Sequence, residues 1–328
     1  MTMKLNRVLL GGALFCSAVA VAAAAAEFPT PGRPITLLLG FPAGGAMDSV
    51  ARAIQMPMEK SLGATIVIDY RPGAGGNIAS QQVAMARPDG HTLVMGTGAT
   101  HGVNATLYKN LPFDVEADFT PVAAVLDAPN VLAINPAALP AANLEEMIAK
   151  VKAAPGKYNY ASTGLGTSTH LVFAELAARA GLDMVHVPFK GGPDAMTALL
   201  RGDVCCIFTQ SQLVQPQWKA GKVRLLGVST AERLPTLAEI PTISEAGLPG
   251  FESSLWFGIF GPKNMDKAVV DKLSRAVKSA LDMPEVQRRL LDLGNMPRYE
   301  NPEKFRATVK ADREKWAQIV KTTGVSGD

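Results

Sequence analysis

The chain has 328 residues, of which 48% are apolar, 19% are charged and 6% are aromatic. This composition excludes an intrinsically disordered chain, because disordered sequences are poor in apolar residues and rich in charge, and the length predicts about two domains. With 32 basic and 29 acidic residues the formal net charge is only +3, which excludes a general attraction to nucleic acid or to a membrane surface.

The N-terminal segment predicts a cleaved export signal. Lys4 and Arg7 precede an uncharged run at residues 8–26 that ends in alanines, and a basic start followed by an apolar core and small residues is typical of a signal peptide. We therefore expect cleavage after Ala26 and export of the mature chain. The alternative is an uncleaved membrane anchor, since an uncharged run of this length could span a bilayer, but the alanines of its last third favour cleavage.

Strand and helix patterns alternate through most of the remaining chain. Short apolar, β-rich runs predict strands at residues 35–39, 64–70, 91–95, 131–135, 158–162, 184–188, 204–209 and 224–229. Helical patterns appear at residues 48–61, 78–86, 144–153, 168–180, 194–200 and 213–220, and then at 267–282, 284–293 and 302–322. Strands that alternate with helices of this length form βαβ units, so we predict an α/β fold with mostly parallel sheets flanked by helices.

Several kinds of site are disfavoured by what the sequence lacks. No G-x-G-x-x-G or phosphate-loop motif occurs, so no nucleotide cofactor is expected, and the four histidines have no close metal-ligand spacing. Cys205 and Cys206 are the cysteines left after cleavage, and two neighbours give no disulfide framework. We interpret both as small apolar core residues rather than as a metal site or a redox pair.

Three glycine-rich turns stand where predicted strands end. They span residues 41–48 (FPAGGAMD), 96–101 (GTGATH) and 162–170 (STGLGTSTH), and the first and third open a predicted helix. Glycine lets a ligand approach the backbone, and a helix N-terminus offers unpaired N–H groups with a partial positive charge. Such turns also serve simply as turns, but three together favour an anion site that needs no Arg or Lys, with Thr97 and Gly98 of the second turn included.

Three side chains near these turns leave alternatives open. Asp48 could contact a ligand, or it could complement the helix dipole and pair with Arg52 four residues later. His170 could contact a ligand, make a structural hydrogen bond or act as a catalytic base. Lys190, on a tight loop after a strand, could be a solvated lysine or a cleft residue that favours an anionic ligand.

A family resemblance is carried by motifs in a fixed order from about Pro34 to the C-terminus. The motifs are FPAGG (41–45) with Asp48 and Arg52, RPGAGGN (71–77), RPDGHTL (87–93), FTPVA (119–123), STG (162–164) with Gly166, His170 and Leu171, PFKGG (188–192), PT (241–242), EAG (245–247) and WFG (256–258). With this order and spacing the chain resembles the substrate-binding receptors of the tripartite tricarboxylate transporter family, the TctC or Bug type.

The resemblance implies a two-lobed, Venus-flytrap periplasmic binding protein of the type II kind. One lobe would comprise residues 27–126 with 228–328, the other residues 127–227, and two strands would connect them. In the family, carboxylates are held between the lobes by loop main-chain groups and ordered waters. Carried over by position, the implied ligand-binding residues are Phe41, Pro42, Ala43, Gly44, Gly45 and Asp48 on one side, and Ser162, Gly164, Gly166, Thr167, Ser168, His170, Lys190 and Gly191 on the other.

One position departs from the family pattern. Members often carry an acid or amide at the strand end where this chain has Thr209. If Thr209 faces the cleft, a ligand ammonium group lacks a charged partner there, which favours a dicarboxylate or a neutral-tailed or aromatic acid over an amino acid. The implied protein is a monomeric receptor, not an enzyme, that passes its ligand to membrane permease subunits. The alternatives are a sensor component that presents ligand to a membrane kinase and an exported hydrolase that uses His170.

Overall fold

The computed structural model describes residues 28–108, 110–253 and 255–323, and the predicted signal segment with its cleavage site lies outside them. The strands are β1 (Ile35–Leu39), β2 (Ile66–Tyr70), β3 (Thr92–Thr97), β4 (Phe119–Ala128), β5 (Val131–Ile134), β6 (Asn159–Ser162), β7 (Val185–Pro188), β8 (Cys206–Thr209), β9 (Arg224–Val228), β10 (Leu255–Pro262) and β11 (Met296–Glu300). The helices are α1 (Ala46–Leu62), α2 (Asn77–Ala84), α3 (Asn104–Leu107), α4 (Leu144–Lys152), α5 (Ser168–Ala180), α6 (Gly192–Arg201), α7 (Ser211–Lys219), α8 (Lys267–Leu281), α9 (Pro284–Asp292) and α10 (Pro302–Thr323).

The first lobe is built on a six-stranded sheet in the order β11-β4-β10-β3-β1-β2. β1 is parallel to β2 and β3, whereas β10 is antiparallel to β3 and β4, and β11 is antiparallel to β4. The apolar β1 is buried because helices cover both faces of the sheet. On one face α1 and α8 pack through Ile54 and Leu273, and on the other α2 and α10 pack through Val83 and Phe305.

The second lobe is built on a five-stranded sheet in the order β7-β6-β8-β5-β9. β6 is parallel to β7 and β8, and β5 is antiparallel to β8 and β9. One face is covered by α4 and α5, through Met147 and Phe173. The other is covered by α6 and α7, through Leu199 and Val214. Cys205 and Cys206 are buried free thiols within this apolar core.

The predicted two-lobed α/β fold is confirmed, but the prediction of mostly parallel sheets is wrong, since both sheets are mixed. The antiparallel pairings of the first sheet involve β4, β10 and β11, which the sequence patterns do not mark as strands. β4 and β10 pair directly although the whole second sheet lies between them in sequence. Pairing between such distant strands leaves no signature in the local alternation of strand and helix.

The chain passes between the sheets twice. It leaves the first after Ala128 and enters the second at Val131, then leaves the second after Val228 and returns at Leu255. The predicted lobe boundaries at 126/127 and 227/228 stay a prediction. Within the described residues, no helix combines the length and the apolar character that crossing a bilayer would require.

The lobes also touch along the C-terminal helix. Trp316 of α10 packs with Leu171 of α5 and Leu107 of α3 in one buried apolar cluster. Beside it, the Lys315 ammonium lies 3.0 Å from the buried carboxylate of Glu175 on α5. A helix that packs on the first sheet therefore also holds the second lobe.

Candidate functional site

The loops predicted from sequence lie at the edges where the two lobes approach each other. β1 and β3 end at this edge in the first lobe, and β6, β7 and β8 end there in the second. A contact joins the two edges, because a Cβ atom on Gly166 would lie 2.6 Å from Leu107 Cδ2. The candidate site is thus made of loops at the carboxyl ends of parallel strands, where ligands usually bind in open α/β sheets.

The first loop, Phe41 to Gly45, is exposed and is held from within by Asp48. The Asp48 carboxylate is itself buried and accepts hydrogen bonds of 2.8 Å from the Gly44 N–H, the Arg52 guanidinium and the Tyr70 hydroxyl. Burial raises the pKa of Asp48, but the three donors outweigh it and lower that pKa below its usual value. These contacts fit the alternative in which Asp48 pairs with Arg52 and supports the loop, rather than contacting a ligand.

Several helices that start at these edges have no side-chain cap, α1, α5 and α6 among them. The N-cap residues are Gly45 for α1, Thr167 for α5 and Gly191 for α6, and none of their side chains accepts a first-turn N–H. By contrast, Asn143 and Asp266 cap α4 and α8 with their side chains. An uncapped N-terminus keeps donors and partial positive charge available to an anion.

The Phe41 ring rests on a second loop at residues 71–76. A Cβ on Gly76 would lie 3.4 Å from the Phe41 ring carbon Cε2 and 2.7 Å from Thr100 Cγ2, so only glycine allows this close approach. The same loop is tied to α3 through Asn77, whose amide oxygen accepts a 2.7 Å hydrogen bond from Asn104. The first loop, the 71–76 loop and α3 therefore form one connected surface.

The second glycine-rich turn is a packed corner. The Thr97 hydroxyl accepts a hydrogen bond from the Thr100 N–H, and the Thr100 hydroxyl accepts one from the Thr97 N–H. Gly98 lies under β10 and α10, since a Cβ there would come within 2.6 Å of Leu255 and 3.2 Å of Asp312. The structure thus uses the polar groups of Thr97 internally, and a ligand contact at this turn stays a prediction.

The third turn is held together by its own hydroxyl groups. Ser162 is buried; its Oγ donates to the Gly164 carbonyl, accepts from the Gly164 N–H and lies 2.7 Å from His186 Nε2. The Thr167 hydroxyl donates to the Gly164 carbonyl at 2.7 Å and lies 3.0 Å from the Thr169 hydroxyl. Ser168 is half-buried in the first turn of α5. These bonds fix the conformation of the loop before α5.

His170 forms part of an aromatic stack rather than standing free. Its ring lies 3.9 Å from that of His186 at an interplanar angle of 5°, and its Nδ1 accepts a hydrogen bond from the Gly166 N–H. Burial and the neighbouring His186 lower the pKa of His170 to about 4, so the ring is neutral near pH 7. The contacts of His170 and Ser162 hold the loop in place, and a ligand contact by either side chain stays a prediction.

Lys190, Gly191 and Thr209 complete the second lobe's edge. The loop with Lys190 and Gly191 lies beside the third turn, since the Phe189 N–H donates to the Ser162 carbonyl, and Lys190 is exposed. Thr209 ends β8, is buried, and has a hydroxyl without a hydrogen-bond partner among the residues that the structure describes. The structure thus brings most predicted residues to one pair of facing edges, and the ligand contacts themselves stay predictions.

Comparison with known proteins decides the family. The sequence matches the family described as the tripartite tricarboxylate transporter family receptor, TctC, over residues 50–325. The chain belongs to the TctC family. Members of this family are periplasmic binding proteins.

Relatives of the TctC chain match it over nearly its whole length. Protein BugT of Bordetella pertussis is 31% identical over 323 residues, which cover 98% of this chain and 99% of BugT. The R. palustris structure described as Rpa4515 with adipate has 32% identity and a TM-score of 0.77, covering 90% of this chain and 99% of that one. MatC (Rpa3494) from Rhodopseudomonas palustris with bound malate has 35% identity and a TM-score of 0.72, covering 88% and 99%.

Local sequence patterns do not mark every residue that shapes the TctC site. His186 on β7 is hydrogen-bonded to Ser162, and Tyr70 on β2 is hydrogen-bonded to Asp48. No local sequence pattern points to His186 or Tyr70. Leu165, between the two glycines of the third turn, is absent from the predicted set, although an apolar residue so placed in a polar loop is a detectable signal. A surface groove of about 490 Å³ near Met265 and Tyr299 lies on the first lobe, away from the facing edges.

Proposed function

We propose that this TctC-family protein is an extracytoplasmic receptor that captures a small carboxylate between its lobes and delivers it to the membrane subunits of a tripartite tricarboxylate transporter. The observation that carries the proposal is the set of uncapped N-termini of α1, α5 and α6 at the facing edges. Such termini attract anions without a basic side chain, which suits a chain with almost no net charge.

The charges at the facing edges favour an acid that has no ammonium group. Both oxygens of Asp48 are occupied by donors of its own lobe, and Thr209 offers a neutral hydroxyl. A ligand ammonium would find no ionic partner at either position, whereas a carboxylate would meet free N–H groups. A dicarboxylate, or a neutral-tailed or aromatic acid, therefore fits better than an amino acid; adipate and malate, named for the two related structures, are dicarboxylates.

Capture follows from two half-sites on separate lobes. The N-terminus of α1 belongs to the first lobe, and those of α5 and α6 belong to the second, so a ligand that contacts both stabilises the closed arrangement. Ligand binding then shifts an existing open–closed equilibrium by its extra affinity for the closed form. We expect a monomer whose closed form docks on the permease.

A thermal-shift screen tests the proposal. The protein is unfolded, washed free of copurified ligand and refolded, then screened with small carboxylates and with amino acids, and hits are measured by calorimetry. A ligand at one hundred times its Kd stabilises the fold by about 2.7 kcal/mol, which shifts the melting temperature by several degrees. No shift with any carboxylate would contradict the receptor proposal, and amino acids as the tightest ligands would contradict the ligand class.

Two further measurements separate the alternatives. A receptor returns its ligand chemically unchanged after denaturation, whereas a hydrolase converts it, and mass spectrometry of the recovered ligand distinguishes the two. Uptake of a radiolabelled carboxylate into vesicles that contain the permease subunits should require the added receptor. Uptake that is independent of the protein would favour the sensor alternative.

A further inference from the structure

Two exposed apolar side chains lie at the loops that open the two facing half-sites. Phe41 is 37% exposed in the loop before α1, and Leu165 is 56% exposed in the loop before α5. Scattered exposed hydrophobic residues are normal on any protein surface. These two are unusual in their placement, because each adjoins an uncapped helix N-terminus and they belong to opposite lobes.

The Phe41 ring is held in a fixed position. It lies over the backbone of Gly76, where a Cβ atom would come within 3.4 Å of the ring edge, and the loop that carries Phe41 is fixed by the Gly44 N–H bond to Asp48. A ring supported from below by backbone keeps its outer face available. That face adjoins the exposed loop whose N–H groups are suited to a carboxylate.

Leu165 is presented by a rigid turn. Its neighbours Gly164 and Gly166 have φ values of 137° and 72°, a region that residues with side chains rarely adopt. The Gly164 carbonyl accepts from Thr167, and the Gly166 N–H donates to His170. The exposure of Leu165 therefore follows from a well-bonded turn that directs an apolar side chain outward.

A continuous set of contacts places the two side chains at the same opening between the lobes. Gly166, next to Leu165, lies against Leu107 of α3. At the other end of α3, the Asn104 side chain donates a hydrogen bond to Asn77. Asn77 directly follows Gly76, the glycine that lies against the Phe41 ring. α3 has only four residues, so it separates the two sides by little more than one helical turn.

We infer that Phe41 and Leu165 form an apolar clamp, one side on each lobe, which selects carboxylates with an apolar body of several carbon atoms over compact polar acids. The inference rests on the proposed receptor function and narrows its ligand class. The carboxylate is held by the N–H groups of α1 or α5, and lobe closure brings the two side chains against the ligand's methylene groups or ring. Removal of that apolar surface from water supplies the selectivity.

Calorimetry with a series of unbranched dicarboxylates tests the clamp. Succinate, glutarate, adipate and pimelate add one methylene at a time, and burying one methylene is worth about 0.8 kcal/mol, or roughly a fourfold fall in Kd. The wild type should bind more tightly with each methylene that enters the clamp, by up to about fourfold. Leu165→Asn, which keeps the number of side-chain heavy atoms but not their apolar character, should reduce the gain in affinity per methylene to less than about twofold.

Met56→Gln is the matched control, since Met56 is an equally apolar, exposed side chain on α1 outside the loops, and it should leave the series unchanged. Equal Kd values along the series, or an unchanged series in Leu165→Asn, would overturn the clamp while the receptor function stands. An equal loss of affinity for all four acids in Leu165→Asn would also overturn the clamp, because such a loss would come from a change in the loop backbone and not from lost apolar contact. If none of the acids binds, but other carboxylates do, the clamp fails; if no carboxylate binds, the receptor proposal fails with it.

Discussion

Asp312 on α10 provides a sharp test of the electrostatics between the lobes. It is half-buried beside Gly98, accepts a 3.0 Å hydrogen bond from the Trp256 indole, and lies near Lys315. Burial raises the pKa of Asp312 from 3.8 to about 6, although Lys315 and Trp256 act to lower it. The folded protein therefore takes up a proton at this site at a higher pH than the unfolded chain does.

The sign and size of the effect follow from linkage. Above pH 6 the carboxylate is ionised in both states, and the folded state carries a penalty of up to about 3 kcal/mol, since each pKa unit corresponds to about 1.4 kcal/mol. The penalty falls as the pH drops from 6 toward 3.8, because the folded state is protonated first. Asp312→Asn removes the charge and keeps an acceptor for Trp256. It should stabilise the protein by up to about 3 kcal/mol at pH 8, but by only about half as much at pH 5.

Urea unfolding followed by tryptophan fluorescence between pH 5 and pH 8 measures this difference. Asp118→Asn is a control of opposite sign, because the Asp114 N–H and Lys263 lower the pKa of Asp118, so its removal should destabilise the protein at pH 8. The reasoning is refuted if Asp312→Asn is destabilised at pH 8, or if its advantage over the wild type does not shrink on acidification. Either result would mean that the ionised form is the one that the fold stabilises.

Three further perturbations probe the site and the contact between the lobes. Gly44→Val should cost about 1–2 kcal/mol of stability, because Gly44 has a φ of 79°. It should also weaken carboxylate binding by about tenfold or more in calorimetry, because the added side chain blocks approach to the loop backbone. Gly221→Val is the control, since Gly221 has a φ of 71° and equally open surroundings; it should lose stability but not affinity. Ser162→Ala should lower the free energy of unfolding by about 1–3 kcal/mol, because the Gly164 N–H loses its partner, and it should weaken binding in the same calorimetric assay; wild-type values in both measurements would exclude a role for the hydroxyl. Lys315→Met should destabilise the protein by about 1–3 kcal/mol, less than the roughly 3–5 kcal/mol of a fully unpaired buried charge, because Glu175 loses its closer cation and keeps the Arg179 guanidinium at 3.8 Å. The double variant with Glu175→Gln should recover much of this loss in urea unfolding, and no recovery would show that the two residues are not coupled.

The elements that the sequence predicts well are those stabilised locally. β1 and α5 occupy the predicted residues because an apolar run fills one and a helical pattern ends at a glycine in the other. β10 is different, since it lies at the end of a segment rich in proline and glycine and owes its strand conformation to pairing with β3 and β4. A partner that is distant in sequence cannot be read from local periodicity.

The candidate site shows the same limit. The three glycine-rich turns are visible in the sequence, and two of them open helices at the facing edges as predicted. The sequence does not show which polar groups of each turn are already hydrogen-bonded within the protein. Ser162 is hydrogen-bonded to His186 on a neighbouring strand, and Asp48 is hydrogen-bonded to Tyr70. These hydrogen bonds, from β7 to β6 and from β2 to α1, depend on tertiary structure, so the assignment of a polar side chain to ligand or to fold requires the structure.

The interleaved course of the chain also sets an order of folding. All strands of the second sheet come from one continuous stretch, Val131 to Val228, whereas the first sheet needs β10 and β11 from beyond it. During synthesis β3 and β4 therefore lack β10, which lies between them in the sheet, while the second lobe already has its complete set of strands. Long-range pairing forms slowly and leaves strand edges exposed until it is complete. We therefore expect the incomplete first lobe to be the part of the chain that most needs a chaperone.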